Sequence, residues 1–125
     1  IFKTPVAGPI FVGSYNLEGD RQADLKNHGG ESKAVYGFSA DHYSYWSKTL
    51  SRPDIQPGTF GENLTISGFD ENKIHIGDDL SIGDCVLQVS QPRVPYFKLG
   101  LALSNKELLQ LFVKYGATGV YFRVI

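Results

Sequence analysis

Lys73-Ile74-His75-Ile76-Gly77-Asp78-Asp79-Leu80-Ser81-Ile82-Gly83-Asp84-Cys85-Val86-Leu87-Gln88-Val89-Ser90 is the stretch on which the fold turns. Apolar and polar residues alternate through it, and the pattern breaks twice at the same tripeptide, Ile-Gly-Asp. Gly and Asp are turn formers, so residues 73–90 predict strand, turn, strand, turn, strand. The pair Ile76-Gly77-Asp78 and Ile82-Gly83-Asp84 could suggest a hexapeptide repeat, but two copies fall short of a solenoid. Tight β corners are the better reading.

The same signals extend outward in both directions. Ile10-Phe11-Val12, Lys33 to Phe38, Asn63-Leu64-Thr65-Ile66 and the closing Val120-Tyr121-Phe122-Arg123-Val124-Ile125 also read as strands. Asp20 to Gly30 is polar and aperiodic, and Pro53, Pro57 and Gly58 mark another loop. Ser39 is a good N-cap, and Tyr43, Trp46 and Leu50 recur at helical spacing, which predicts an amphipathic helix over Ala40 to Leu50. Ser104-Asn105-Lys106-Glu107 is a capping box ahead of an apolar stripe at Leu108, Leu111, Phe112 and Tyr115, with Gly116 placed to end the helix. Six or seven short strands with two helices predict a mainly β fold. The expected architecture is a closed, mostly antiparallel β-barrel with helices as cover.

Composition bounds the rest. The chain has 125 residues, the size of one domain, with 14 Gly and 6 Pro punctuating it. Twelve basic residues stand against 13 acidic ones, a net charge of −1 that argues against a whole-surface footprint for nucleic acid or anionic membrane. No apolar run reaches the ~20 residues of a membrane helix, and no signal-peptide pattern opens the sequence. The single cysteine rules out an internal disulfide, so a cytoplasmic domain is expected. The chain lacks Met, begins at Ile1 and ends in a strand pattern. It is therefore expected to be one domain over residues 1–125, trimmed at both ends relative to a longer parent. Unpaired edges of that kind could pair in a homodimer.

Three segments carry candidate chemistry. His28-Gly29-Gly30 lies near Arg21, Asp24, Lys26 and Lys33, a stretch able to hold an anion between side-chain cations and backbone N–H groups. It reads equally as a solvated loop turned by its glycines. Phe60-Gly61-Glu62-Asn63-Leu64 offers a carboxylate and an amide, fitted either to a heterocycle's donors and acceptors or to capping a turn. In Gln91-Pro92-Arg93-Val94-Pro95-Tyr96-Phe97-Lys98-Leu99, two prolines stiffen the backbone around the planar fork of Arg93 and the compact charge of Lys98. The remaining candidates are blander. Cys85 shares a strand face with Leu87 and Val89, the setting of a small buried hydrophobe, with a reactive thiol as the alternative. His42 falls beside aromatics as a packing residue, and His75 should point outward from its strand. The three histidines show no zinc spacing.

Together these segments resemble the MOSC family (molybdenum cofactor sulfurase C-terminal domain), in its YiiM-like branch. The resemblance rests on Gly19-Asp20-Arg21-Gln22-Ala23-Asp24-Leu25 running into His28-Gly29-Gly30, and on Phe60-Gly61-Glu62-Asn63-Leu64-Thr65-Ile66-Ser67-Gly68. It continues through Ile76-Gly77-Asp78, Val89-Ser90-Gln91-Pro92-Arg93 and Tyr121-Phe122-Arg123-Val124. The resemblance implies a β-barrel whose pocket holds a molybdenum-pterin cofactor or handles sulfur. It further implies reduction of N-hydroxylated compounds, including hydroxylamino base analogues. A pyridoxal phosphate link is known in sulfurase relatives and is the lesser expectation. Carried over by position, the pocket residues are Arg21, Asp24, His28, Glu62, Asn63, Arg93 and Lys98, with His28 also able to pass protons.

One position departs from the family. Its third segment reads Gln-Pro-Arg-x-Pro-Cys-x-Lys-Leu, with the cysteine as metal or sulfur ligand, and this chain has Tyr96 there. A thiolate is a soft ligand whereas a phenol is a hard oxygen acid, and a phenol cannot carry a persulfide. Three outcomes follow: a molybdenum-dependent reductase, active or silenced at Tyr96; a binding module for a phosphate-bearing ligand such as a pterin, a nucleotide or pyridoxal phosphate; or a structural domain. In the first two, the partner is a small-molecule substrate or cofactor.

Overall fold

The computed structural model describes residues 3–20, 29–94, 105 and 107–125. Five strands form one sheet: β1 (Val35–Ser39), β2 (Leu64–Ile66), β3 (Asp79–Ile82), β4 (Cys85–Pro92) and β5 (Val120–Val124), in the order β2-β1-β5-β4-β3. The stretch over residues 73–90 supplies its central hairpin. Asp79 pairs with Gln88 and Ile82 with Cys85, leaving Gly83-Asp84 as a two-residue turn with Gly83 at φ 57°. Positive φ at the first turn residue is what a tight hairpin of matching twist requires, and glycine adopts it without a Cβ clash. The arm before Gly77 is not a strand. Glu71–Lys73 is a turn of 3₁₀ helix under an Asp70 cap, and the His75 N–H donates to Asp78 Oδ2 at 2.8 Å. Local side-chain acceptors have there taken over backbone donors that a ladder would have used. His75 does point outward, with its side chain 82% exposed.

The expected closed antiparallel barrel is replaced by an open sheet of mixed direction. β1 pairs antiparallel with β5 but parallel with β2, through Gly37–Leu64, Phe38–Thr65 and Ser39–Ile66. The reason lies between β1 and β2, where a helix and a loop intervene. Such a crossover returns the chain in the same direction, which a hairpin cannot do. Among the described residues β2 and β3 have no partner on their outer sides, so the sheet curves without closing. The strand expected at Ile10-Phe11-Val12 shrinks to one bridge between Val12 and Leu17, because a turn from Gly13 to Asn16 folds the segment on itself. No helix among the described residues is long and apolar enough to cross a membrane.

Both helices lie on one face. The expected helix over Ala40 to Leu50 forms as a 3₁₀ turn (Ala40–His42) running into α1 (Tyr43–Thr49), and Ser39 Oγ accepts the Asp41 N–H at 3.2 Å. Helix α2 (Leu108–Tyr115) ends at Gly116, left-handed at φ 89° as expected. It starts later than the capping box suggests. Ser104 and Lys106 lie outside the described residues, and Asn105 Oδ1 accepts the Glu107 N–H at 2.9 Å just before the helix.

Strand alternation divides the apolar residues into two clusters. Tyr36, Phe38 and Tyr121 face the helices and pack with Trp46, Phe60, Leu108 and Phe112. Val35, Leu87, Val89, Val120 and Phe122 face the other way, with Phe69 and the half-buried Leu64 and Cys85. Cys85 thus takes the apolar side of β4 that its pattern predicted. Gly119 lets the faces fit closely: at φ 90°, a Cβ there would meet the Tyr36 ring at 2.4 Å.

Candidate functional site

Tyr36 sits where the candidate segments meet. It is 4% exposed in the middle of the sheet, and a buried phenol needs hydrogen-bond partners. Its hydroxyl donates to the Thr118 carbonyl at 2.6 Å and accepts from Arg93 Nη1 at 2.9 Å. Its backbone is held by Asn63: the Tyr36 N–H donates to Asn63 Oδ1 at 2.9 Å, and the Asn63 N–H donates to the Tyr36 carbonyl at 2.8 Å. The amide side chain therefore stands in for a backbone acceptor just ahead of the parallel β1–β2 ladder. Asn63 Nδ2 reaches across the chain to Asp20 Oδ2 at 2.9 Å, and Lys3 Nζ lies 3.2 Å from the same oxygen.

Glu62 is 2% exposed and fully engaged within its own corner. Oε1 accepts the Phe60 N–H at 3.1 Å, while Oε2 accepts the Tyr43 hydroxyl at 2.5 Å and the Thr65 hydroxyl at 3.1 Å. Burial, with Glu62 alongside, pushes the Tyr43 phenol far above its ordinary range. Burial does the same to Tyr36, partly offset by the Arg93 charge, so both phenols are neutral donors at physiological pH.

Arg93 follows Pro92 at the end of β4 and is 6% exposed. Besides Tyr36, its Nη1 donates to the Phe60 carbonyl at 2.7 Å. The guanidinium lies 4.5 Å over the Tyr36 ring and 5.9 Å over that of Phe112, and its Nε is buried without a partner among the described residues. The three described candidates thus converge: Glu62 and Arg93 hold the main-chain N–H and carbonyl of Phe60, and Asn63 and Arg93 hold the backbone and the hydroxyl of Tyr36.

A cavity of about 680 Å³ opens on the face opposite the helices. Glu62, Asn63 and Thr65 line one part of it and Asp84 and Cys85 another, with an apolar wall that includes Val35, Leu64 and Leu87. Arg93 packs with the helix-face cluster, across the sheet from this wall. Arg21, Asp24, His28, Tyr96 and Lys98 lie outside the described residues, although Asp20, next to Arg21, is tied to Asn63. Gly30 beside them takes φ 95°, the positive value for which a Gly-Gly pair is suited. Among the described residues no group of three His, Cys, Asp or Glu side chains is placed to hold a metal.

Tyr36 and Tyr43 stand in the sequence as a strand residue and a helix-stripe residue, with no sign of a role at the site. A tyrosine in a strand pattern, or on the apolar stripe of a helix, was the available signal, since its hydroxyl must be met inside. His42 packs as expected, edge-on to Phe38 and Tyr115, and also lies within hydrogen-bond distance of the Tyr115 hydroxyl (Nδ1, 2.8 Å).

The profile of the MOSC domain family matches residues 24–125. The chain is 45% identical over 125 residues to the uncharacterized protein YflK of Bacillus subtilis (strain 168), covering all of this chain and 56% of that protein. It is 35% identical over 128 residues to YiiM of Escherichia coli (strain K12), again over its full length and 57% of the relative. The crystal structure of Escherichia coli YiiM superposes with a TM-score of 0.82 at 31% identity, over 98% of this chain and 58% of that one. A protein of Gibberella moniliformis (strain M3125 / FGSC 7600) named Reductase is 34% identical over 128 residues, which cover 100% of this chain and 23% of that protein. The chain thus spans little more than half the length of the two bacterial relatives. With its motifs in order along the sequence and its fold matched to YiiM, the chain belongs to the MOSC domain family, in the YiiM-like branch.

Proposed function

We propose that this chain is the MOSC core of a reductase for N-hydroxylated compounds that works with a molybdenum-pterin cofactor. The observation that carries the reading is the meeting of segments 20, 62–63 and 93 around Tyr36, in a family with a relative named Reductase. The described residues suit the organic part of such a cofactor. The cavity has the volume of an ordinary ligand site, and among the described residues the Asn63 amide keeps one N–H and one lone pair beyond its bonds to Asp20 and Tyr36. They do not supply a ligand set for the metal, and the family's cysteine position is Tyr96. When bound, the cofactor would supply the electron pair that cleaves an N–O bond.

The protein's own part is to bind and orient. Asn63 would present its remaining donor and acceptor to the ring, and the apolar wall of Val35, Leu64 and Leu87 would exclude water. By the family resemblance Arg21 and Lys98 would meet an anionic end, with Asp24 three positions after Arg21 and His28 able to move a proton. The test compares the protein with its Tyr96→Cys variant, both made in a cofactor-producing host. Molybdenum near one per chain with reductase activity, in the parent or gained in the variant, is the expected result. Neither metal nor activity in both proteins refutes the reading.

Tyr96 favours a second reading, a binding module for a phosphate-bearing ligand. A ring at that position can stack on a heterocycle or donate a hydrogen bond, even though it cannot serve as a thiolate. A pterin, a nucleotide or pyridoxal phosphate that binds the native state raises the unfolding midpoint. No shift with any of them removes this reading.

A further inference from the structure

We propose that Arg93 is a positioning residue and not an anion ligand: it sets the Phe60–Asn63 corner so that Asn63 faces the cavity in one orientation. The inference rests on the reading of Asn63 as part of the ligand-facing site, and it changes the role that family position gives to Arg93.

An arginine that captures phosphate or carboxylate turns two parallel N–H groups toward the ligand. Arg93 does not. It is 6% exposed, and its Nη1 is committed to the Phe60 carbonyl and the Tyr36 hydroxyl. Its planar group lies on the Tyr36 ring, and its contacts belong to the aromatic cluster under the helices. The main chain is fixed as well: the Arg93 N–H donates to the Gly119 carbonyl at 3.0 Å, and its carbonyl accepts the Thr118 hydroxyl at 3.0 Å. A buried cation is costly, and among the described residues neutral oxygens and ring faces support it.

What the charge gains the protein is orientation. Phe60 is gripped at its carbonyl by Arg93 and at its N–H by Glu62, so the peptide leading to Asn63 cannot rotate freely. Tyr36 is gripped at its hydroxyl by Arg93 and at its backbone by Asn63. Lysine would keep the charge but lose the flat face that stacks on Tyr36 and the stiff fork that places Nη1 between its two acceptors. The residue therefore has to be arginine even if no anion ever touches it.

The experiment follows Arg93→Lys and Tyr36→Phe by NMR well below the unfolding midpoint, with inorganic phosphate as the probe. In the parent, phosphate is expected to leave the Arg93 Nε–H signal unmoved. Both variants are expected to shift the Asn63 side-chain amide signals and to speed amide exchange at Phe60 and Asn63 by about tenfold, the scale of one buried hydrogen bond. If Arg93→Lys does not fold, Tyr36→Phe, which keeps the ring, gives the answer alone. Phosphate that moves the Arg93 signal overturns the proposal. So do folded variants whose Asn63 signals match the parent, since a purely structural arginine would lower stability without moving them. No readout uses the cofactor or turnover, so absence of molybdenum would end the proposed function and leave this result standing.

Discussion

Asn63 gives the sharpest test of how the candidate site is built, because one side chain makes two bonds of different kinds. Asn63→Ala removes the acceptor of the Tyr36 N–H in the middle of the sheet and the donor to Asp20. A buried donor left without a partner costs about 1–3 kcal/mol, and the lost bond to a carboxylate adds on the order of 1 kcal/mol. A loss of about 3 kcal/mol is expected, which for a domain of this size lowers the thermal midpoint by about 10 °C. Asn63→Asp separates the two contributions. Its carboxyl oxygen can still accept the Tyr36 N–H, but its other oxygen now faces Asp20, with Lys3 as the nearby cation.

The sign of the pH dependence follows. Beside Asp20 the new carboxyl at position 63 is harder to ionise in the folded state than in the unfolded one, so its folded pKa is raised. The variant is then closest to the parent below the ordinary carboxylate range, near about pH 4, and falls behind as pH rises through the raised value. Denaturant unfolding of parent and both variants across acid to neutral pH is the assay. A deficit for Asn63→Ala below about 0.5 kcal/mol, or a deficit for Asn63→Asp that does not grow with pH, would refute the derived geometry.

Two further expectations concern the helix face. Phe112 is fully buried and stacks on Phe60 with centroids 5.4 Å apart, so Phe112→Ala should cost about 3–5 kcal/mol in denaturant unfolding. Burial holds the His42 imidazole below its ordinary value of 6.5, against the pull of Asp41 and Asp70. The neutral ring is thus the form the fold prefers, and its contribution is present above that ordinary value and lost as pH falls below it. An NMR titration midpoint for His42 above 6.5 would contradict this.

What the sequence made legible was local. The hairpin at Gly83-Asp84, the Ser39 cap, the Gly116 stop and the shared face of Cys85, Leu87 and Val89 depend on neighbours a few positions apart, and each is found. Strand direction is not local. The parallel β1–β2 pair depends on where the chain returns after α1, and Asn63 helps fix that register through a bond spanning 27 residues. Closure failed for a related reason: the Gly13 N–H closes a turn on the Asn16 carbonyl right after Val12, and Asp78 accepts the His75 N–H, so both expected strands give way to turns. Of the site, the residue types at 62, 63 and 93 were legible from their motifs, while Arg21, Asp24, His28, Tyr96 and Lys98 lie outside the described residues. Tyr36 was not legible, since nothing in its neighbours shows that Arg93, 57 positions on, meets its hydroxyl.

The same geometry bears on how a ligand would be received. Two alternatives stood open for Glu62 and Asn63, capping a turn or fixing a heterocycle, and the structure makes them compatible. Glu62 does cap its corner, through Phe60, Tyr43 and Thr65, and Asn63 does anchor a strand. Side chains held this way have little rotamer freedom left to lose, so a ligand using the remaining N–H and lone pair of Asn63 would meet a fixed pattern. The cost of such rigidity is intolerance. A substitution at Tyr36 or Arg93 reaches Asn63 through one or two hydrogen bonds, so loss of ligand binding in these variants does not by itself identify a residue that touches the ligand. Only a signal from the side chain concerned, read while the protein is folded, separates contact from support.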